Sequence, residues 1–363
     1  MNRDDDLIPQ TAGHARSLAA RFYVDASMAM IDRRKIFDRG WHLIAHTCQL
    51  QNAGDHVVAD LGGLPVIAVR GADDEIRVMH NVCRHRAGPI AQCDGLGAKL
   101  LRCRYHGWTY ALDGALKSAP EMQTAEDFHV EDIRLPQLRV RVWQGLVFAG
   151  SHDDASGFDA LVEGIDARLG TTRGLEHYGH HQRVGYDVAC NWKVYVDNYL
   201  EGYHLPHVHP ALNRILDYRS YLTETSSWHS LQWSPLESSN TLYGDGDALY
   251  YWLWPNTMLN ILPGRLQTNR VVPRGVDRCR VEFDFYYAPM QSGMDDSGEG
   301  RAKREADLQF SDEVQHEDLG ICVDVQRGLA SGSYEPGRLN PLRENAVHHF
   351  HELLRRAYRD AMA

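Results

Sequence analysis

Hydrophobic and polar positions change texture twice along this chain. From residue 25 to residue 37 the apolar side chains recur at helical spacing. Met28, Ile31 and Ile36 fall roughly on one face, with Asp25 placed to cap the start. From Trp41 to Val147 the pattern shortens to β-like runs broken by glycine, at 57–61, 65–69, 76–80, 99–103, 108–112 and 140–148. Tight-turn pairs such as Asp113-Gly114 join them, which predicts a small all-β domain.

The second half mixes both periods. A polar linker leading into a helix is predicted over 150–169, a strand over 182–190, and an aromatic-rich helix over 191–203. Strand-like runs return over 227–287, including 250–253 and 280–287. A glycine- and acid-rich loop follows at 290–300, and helices over 302–329 and 341–361 end the chain. No internal repeat or low-complexity tract interrupts this order.

A length of 363 residues suits two domains, and 43% hydrophobic with 24% charged residues is ordinary for a globular protein. The formal charge of -11 and the lack of a basic stripe argue against nucleic acid or an anionic membrane as partner. Acidic residues at Asp4, Asp5 and Asp6 with no apolar run behind them do not read as a secretory signal, and no stretch approaches a membrane span. A cytoplasmic protein is the expectation. Seven scattered cysteines then read as free thiols or metal ligands, not as a disulfide framework.

Four metal-binding side chains come in two short loops. Cys83-Arg84-His85 is followed, after seventeen intervening residues, by Cys103-Arg104-Tyr105-His106-Gly107-Trp108. A Cys₂His₂ zinc site uses the same ligand types but usually pairs Cys with Cys and His with His. Here each loop mixes one Cys with one His. A Rieske [2Fe-2S] cluster needs that mixture, with two cysteines on one iron and two histidines on the other. Cys93, between the loops without a histidine beside it, reads as an idle or buried thiol.

Further on, three histidines stand within the six residues from His204 to His209, just after Glu201. An oxygen-activating ferrous centre uses two imidazoles and one carboxylate on one face of the metal. His207 rivals His209 as a ligand, but Pro206 is expected to disturb its spacing from His204. Acids near 312–324 could supply the carboxylate or merely form a solvated helix face.

The segment from Cys83 to Pro120, with His-Gly-Trp and the Asp-Gly turn, resembles the Rieske domain of ring-hydroxylating and related oxygenases. Asp197-Asn198-Tyr199-Leu200-Glu201 is similar to the choline, carnitine and glycine betaine monooxygenase group. So are Trp254-Pro255-Asn256, Thr268-Asn269-Arg270 and Val325-Gln326-Arg327-Gly328. The family pattern of an acid, two residues, His, four residues, His maps onto Glu201, His204 and His209. The resemblance implies that Cys83, His85, Cys103 and His106 hold the cluster and that His204, His209 and Asp318 hold mononuclear Fe(II), with Glu317 the rival of Asp318. It implies that Glu201 is the carboxylate joining His106 of one subunit to His204 of its neighbour. Many members have Asp there; the longer Glu can still bridge.

The same resemblance implies an α+β fold, with residues 1–40 as a helical arm, 41–149 as the all-β Rieske domain and 150–363 as a catalytic domain. In that domain an antiparallel sheet packs on helices in helix-grip fashion. It implies a homotrimer, and a small-molecule substrate together with O₂. No Rossmann glycine pattern follows a strand, so electrons from NAD(P)H require a separate flavin or iron–sulfur reductase. The implied reaction is hydroxylation or N-demethylation of a small quaternary or methylated amine, the aromatics from Trp192 to Trp254 offering faces for such a cation. The alternatives are aromatic-ring hydroxylation or aryl O-demethylation and, in another class, a Rieske electron carrier without oxygenase activity.

Overall fold

The computed structural model describes residues 5–150, 157–170, 174–237, 242–289 and 297–362. It divides into two compact units, one of residues 38–155 and one of residues 1–37 with 156–363.

The smaller unit is β throughout. Strands β1 (Trp41–His46), β2 (His56–Leu61), β3 (Leu64–Arg70), β4 (Ile76–His80), β8 (Gln137–Trp143) and β9 (Leu146–Gly150) form an antiparallel sheet in the order β1-β9-β8-β4-β3-β2. A second sheet of three short strands, β5 (Leu101–Arg102), β6 (Thr109–Tyr110) and β7 (Leu116–Ser118), carries the second ligand loop. Val69, Met79, Trp108, Tyr110 and Leu116 pack together with Cys83 and Cys103 into one buried cluster. The run predicted over 140–148 is two strands. Gln144 and Gly145, at φ 50° and 76°, turn the chain back between β8 and β9, and apolar residues on both sides of that turn hid it.

The larger unit is built on a seven-stranded antiparallel sheet. It contains β10 (Gly179–Val188), β11 (Leu222–Thr225), β12 (His229–Pro235), β13 (Asp247–Leu253), β14 (Thr257–Leu262), β15 (Arg265–Pro273) and β16 (Cys279–Tyr287). Their order is β10-β16-β15-β14-β13-β12-β11, a meander that β10 closes on one side. Helices Trp192–Tyr199, Gly298–Ala330 and Asn345–Met362 accompany the sheet. The α+β class and the antiparallel sheet with helices are as the sequence predicts.

The N-terminal helix runs Ala26–Lys35, and the Asp25 carboxylate accepts from the Ser27 amide at its start. It also buries an acid the apolar pattern did not flag. Asp32 accepts from the Trp192 indole at 2.8 Å and the Tyr358 hydroxyl at 2.7 Å, and it pairs with Lys193, whose side chain is fully buried. The charges are tolerable there because each is paired and hydrogen-bonded. Of the loop expected at 290–300, residues 290–296 lie outside the described residues. Ser297 instead caps the long helix by accepting from the Gly300 amide. Among the described residues no helix is long and apolar enough to cross a membrane.

Candidate functional site

In the smaller unit the two ligand loops are built alike. The Cys83 amide donates to the Gly88 carbonyl and the Cys103 amide to the Trp108 carbonyl, five residues on in each case. Four residues on, the amides of Ala87 and Gly107 donate back to the two cysteine carbonyls. Ala87 and Gly107 both take positive φ, 57° and 75°, which turns each loop sharply after its histidine. The cysteines are buried, and the His85 and His106 rings lie 4.6 Å apart between centroids. His85 stacks on Trp108, and the Tyr110 hydroxyl lies 3.3 Å from the Cys83 sulfur.

Two features show that these four side chains fit a metal cluster. The Nδ1 of His85 is buried with no hydrogen-bond partner among the described residues, a cost that a metal would remove. Burial, opposed by the backbone N–H groups of Tyr105 and His106, and then the nearness of Cys83, hold the Cys103 thiol above its ordinary pKa. Two adjacent thiolates need a cation between them. Cys93 lies exposed instead of buried.

In the larger unit His204, His209 and Asp318 offer ligand atoms that all lie within 4.8 Å of one another. The Trp192–Tyr199 helix starts at Asn191, whose side chain accepts from the Lys193 amide, and it ends before Glu201 instead of continuing to residue 203. That end frees the chain to turn. Glu201 then accepts from the backbone amides of Tyr203 and His204 through one oxygen, and stands 2.6 Å from His204 Nδ1 through the other. Asp318 reaches the triad from the Gly298–Ala330 helix. Its Oδ1 lies 2.9 Å from His209 Nε2 and 3.7 Å from His204 Nε2, and accepts from Asn198 at 2.7 Å.

Glu317, the rival carboxylate, lies 2.7 Å from His209 Nδ1. Both histidines therefore have an acid behind Nδ1 and turn Nε2 toward Asp318. That is the orientation a metal-binding imidazole needs. His207 stays exposed and outside the group. Its exclusion does not come from a broken helix, because Pro206 sits in the first turn of the short Leu205–Val208 helix, where proline is tolerated. Direction decides instead.

Two small adjoining cavities, of about 90 and 100 Å³, lie beside the triad and share Tyr199, Tyr250, Asn260 and Asp318 among their walls. The sheet provides one wall by simple alternation. Tyr250 pairs with Asn260, Asn260 with Gln267, and Gln267 with Phe285, so a cross-strand row runs from β13 to β16. The long helix provides the facing wall through Ser311, Gln315 and Asp318, spaced four and three residues apart on one face. A larger cavity of about 430 Å³ also touches His204 and Glu201, but neither His209 nor Asp318 lines it, so the smaller pair is the chamber that serves the triad.

Tyr199 lines this chamber, whereas Tyr203 is 48% exposed and does not. Tyr221 closes over it, its hydroxyl donating to Gln232. A Cβ at Gly202 would stand 2.7 Å from that ring, so only glycine lets Tyr221 pack this closely. The sequence reading missed Arg265, Gln315, Asn198 and the orienting role of Glu317. Each is set by a contact distant in sequence, and only the spacing of Ser311, Gln315 and Asp318 offered a local signal.

A model of the ring hydroxylating alpha subunit catalytic domain matches residues 175–360, and a Rieske [2Fe-2S] domain model matches residues 40–138. Choline monooxygenase of Arabidopsis thaliana chloroplasts is 35% identical over 92% of this chain and 81% of its own length. The carnitine monooxygenase oxygenase subunit of Escherichia coli K12 is 28% identical over 95% of each chain. A quaternary ammonium Rieske monooxygenase solved with gamma-butyrobetaine superposes with a TM-score of 0.83, at 25% identity and 98% coverage of both chains. The chain therefore belongs to the ring-hydroxylating alpha-subunit family, as a Rieske non-haem iron oxygenase with a [2Fe-2S] cluster and a mononuclear iron.

Proposed function

We propose that this chain is the terminal oxygenase component that hydroxylates or N-demethylates a small quaternary or methylated amine. The observation that carries the reading is the chamber beside the triad. Tyr199 and Tyr250 line both of its cavities, and its only carboxylates among the described residues are Asp318 and Glu201. Such walls favour a cation held by π-faces over one held by an ion pair. The relatives named for choline and carnitine support the same substrate class.

In this reading Cys83, His85, Cys103 and His106 hold the cluster, and His204, His209 and Asp318 hold Fe(II). The cluster supplies single electrons and the iron supplies activated O₂ when both are bound. Glu201 and Glu317 fix the two imidazoles through Nδ1, and Asn198 fixes the Asp318 carboxylate. The aromatic walls hold the ammonium group with one of its carbon–hydrogen bonds toward the triad and keep water out. One oxygen atom of O₂ enters that bond and the other leaves as water, with two electrons and two protons consumed. A hydroxylated N-methyl group is a hemiaminal, which collapses to formaldehyde and the demethylated amine.

Electrons come from NAD(P)H through a separate reductase, in the cytoplasm where that donor is kept reduced. Glu201 also serves as the bridge to His106 of a neighbouring subunit in a homotrimer. The test is coupled O₂ uptake with a reductase and a panel of carnitine, choline, glycine betaine, proline betaine, benzoates and methoxyaryl compounds. Uptake with formaldehyde or hydroxylated product from an ammonium compound is expected. Turnover of the aromatic compounds alone would overturn the amine reading and leave the oxygenase assignment standing.

A further inference from the structure

We propose that the substrate is a zwitterion, carrying a carboxylate as well as the methylated ammonium group, and that Arg265 with Gln315 receives the carboxylate. This rests on the amine reading above and narrows it. Arg265 lies on β15, is 3% exposed, and lines the chamber. Its counter-ion, Asp307, is fully buried and already well supplied. Asp307 accepts from Arg265 Nε at 2.8 Å, from the Tyr243 hydroxyl at 2.7 Å and from the Tyr287 hydroxyl at 2.7 Å. The ion pair therefore uses only the Nε edge of the guanidinium.

The far edge is under-used. Nη2 donates to Gln267 Oε1, which also accepts from the Ser311 hydroxyl at 3.1 Å, and Gln267 passes a donor on to Asn269 at 2.7 Å. Nη1 makes no hydrogen bond among the described residues. Gln315, 2% exposed and lining the same cavity, accepts from the Tyr195 hydroxyl at 2.8 Å through Oε1. That bond leaves its amide nitrogen as the other end, and Nε2 has no partner. At this end of the chamber Gln315 Nε2 is thus a buried donor without an acceptor, which is costly, and Arg265 Nη1 is a second donor without one. A carboxylate supplies the missing acceptors in the charge-assisted form that a guanidinium fork favours.

Charge balance points the same way. Asp318 and Glu201, the only carboxylates lining the chamber among the described residues, are each hydrogen-bonded to triad histidines. A bare cation would find π-faces and no free counter-charge. A zwitterion brings its own, at lower cost of burial.

The holoenzyme, loaded with both metal centres, is titrated anaerobically by calorimetry with gamma-butyrobetaine, its methyl ester, choline and benzoate. The ester keeps the ammonium group and loses only the negative charge. The wild-type protein is expected to bind the carboxylate at least about tenfold more tightly than the ester, the scale of one charge-assisted hydrogen bond. Gln315→Glu keeps an acceptor for Tyr195 and places negative charge where the free amide stood. It is expected to abolish or reverse that preference, weakening the acid by about tenfold or more without weakening the ester. Arg265→Gln combined with Asp307→Asn removes the ion pair without orphaning a buried charge, and it is expected to act in the same direction. Equal wild-type affinity for acid and ester, or variants that weaken both alike, would overturn the zwitterion and leave the amine reading intact. If no ammonium compound binds and benzoate does, both readings fail.

Discussion

Glu317 and Asp318 are adjacent in sequence and sit on opposite sides of one imidazole. Asp318 lies 2.9 Å from His209 Nε2, and Glu317 lies 2.7 Å from His209 Nδ1. In the proposed triad, one turns toward the metal position and the other holds the ring that would bind there. Asp318→Asn is therefore expected to lose the mononuclear iron. Glu317→Gln is expected to keep the ligand set and weaken iron affinity by about 10- to 100-fold, as the loss of such an outer partner does elsewhere. Chelator competition, with the cluster absorption as an internal control, measures both. Iron kept by Asp318→Asn and lost outright by Glu317→Gln would reverse the assignment. The two histidines stood out in the sequence because they are close together. The choice between the two acids did not, because neighbours on a helix differ by about 100° in direction and only the position of His209 gives that angle meaning. Arg265 was missed for a related reason. In a strand an arginine reads as surface, and only the buried Asp307 and two tyrosines explain why it points inward.

At the scale of elements, the two cluster loops repeat one hydrogen-bond pattern with a different residue at the positive-φ corner, Ala87 in one and Gly107 in the other. Alanine in that region costs about 1 kcal/mol more than glycine. Gly107→Ala is expected to lower the stability of the cluster-bearing unit by about that amount, with some crowding against Arg102, whose guanidinium would be 3.2 Å from the new Cβ. Ala87→Gly is expected to be neutral or stabilising by up to about 1 kcal/mol, since the relief of strain is offset by a more flexible unfolded chain. Denaturant midpoints followed through the cluster absorption would separate the two. A destabilised Ala87→Gly protein matched by an unaffected Gly107→Ala protein would show that the corner conformation is not what sets the loop. Most strands were legible because alternation and turn residues agree locally, as at Asp113-Gly114. The β8–β9 turn was not, because Gln144 is an unusual residue at φ 50° and the flanking runs are apolar on both sides. The end of the Trp192–Tyr199 helix was hidden in the same way. Aromatic spacing continues past it, and the stop comes from the Glu201 carboxylate taking up the Tyr203 and His204 amides.

For the whole molecule, the proposed cluster ligands all lie between residues 83 and 106 and the proposed iron triad between residues 204 and 318, in two separately packed units. The proposed trimer, in which Glu201 of one chain receives electrons from His106 of another, makes a prediction that no single chain can satisfy. Chains with His106→Ala keep the iron triad and lose the cluster; chains with Asp318→Ala keep the cluster and lose the iron. Each is expected to be inactive alone. When the two are co-expressed, an intact iron site can neighbour an intact cluster. Random head-to-tail assembly places such a pair at about one junction in four, so turnover recovers to about a quarter of the wild-type value. If electrons moved only within a chain, no junction would help and the mixture would be as inactive as its parts. Cluster absorption and iron content measured on the same mixed sample show that both centres are present, so a failure of complementation would count against the bridge and not against the folding of either variant.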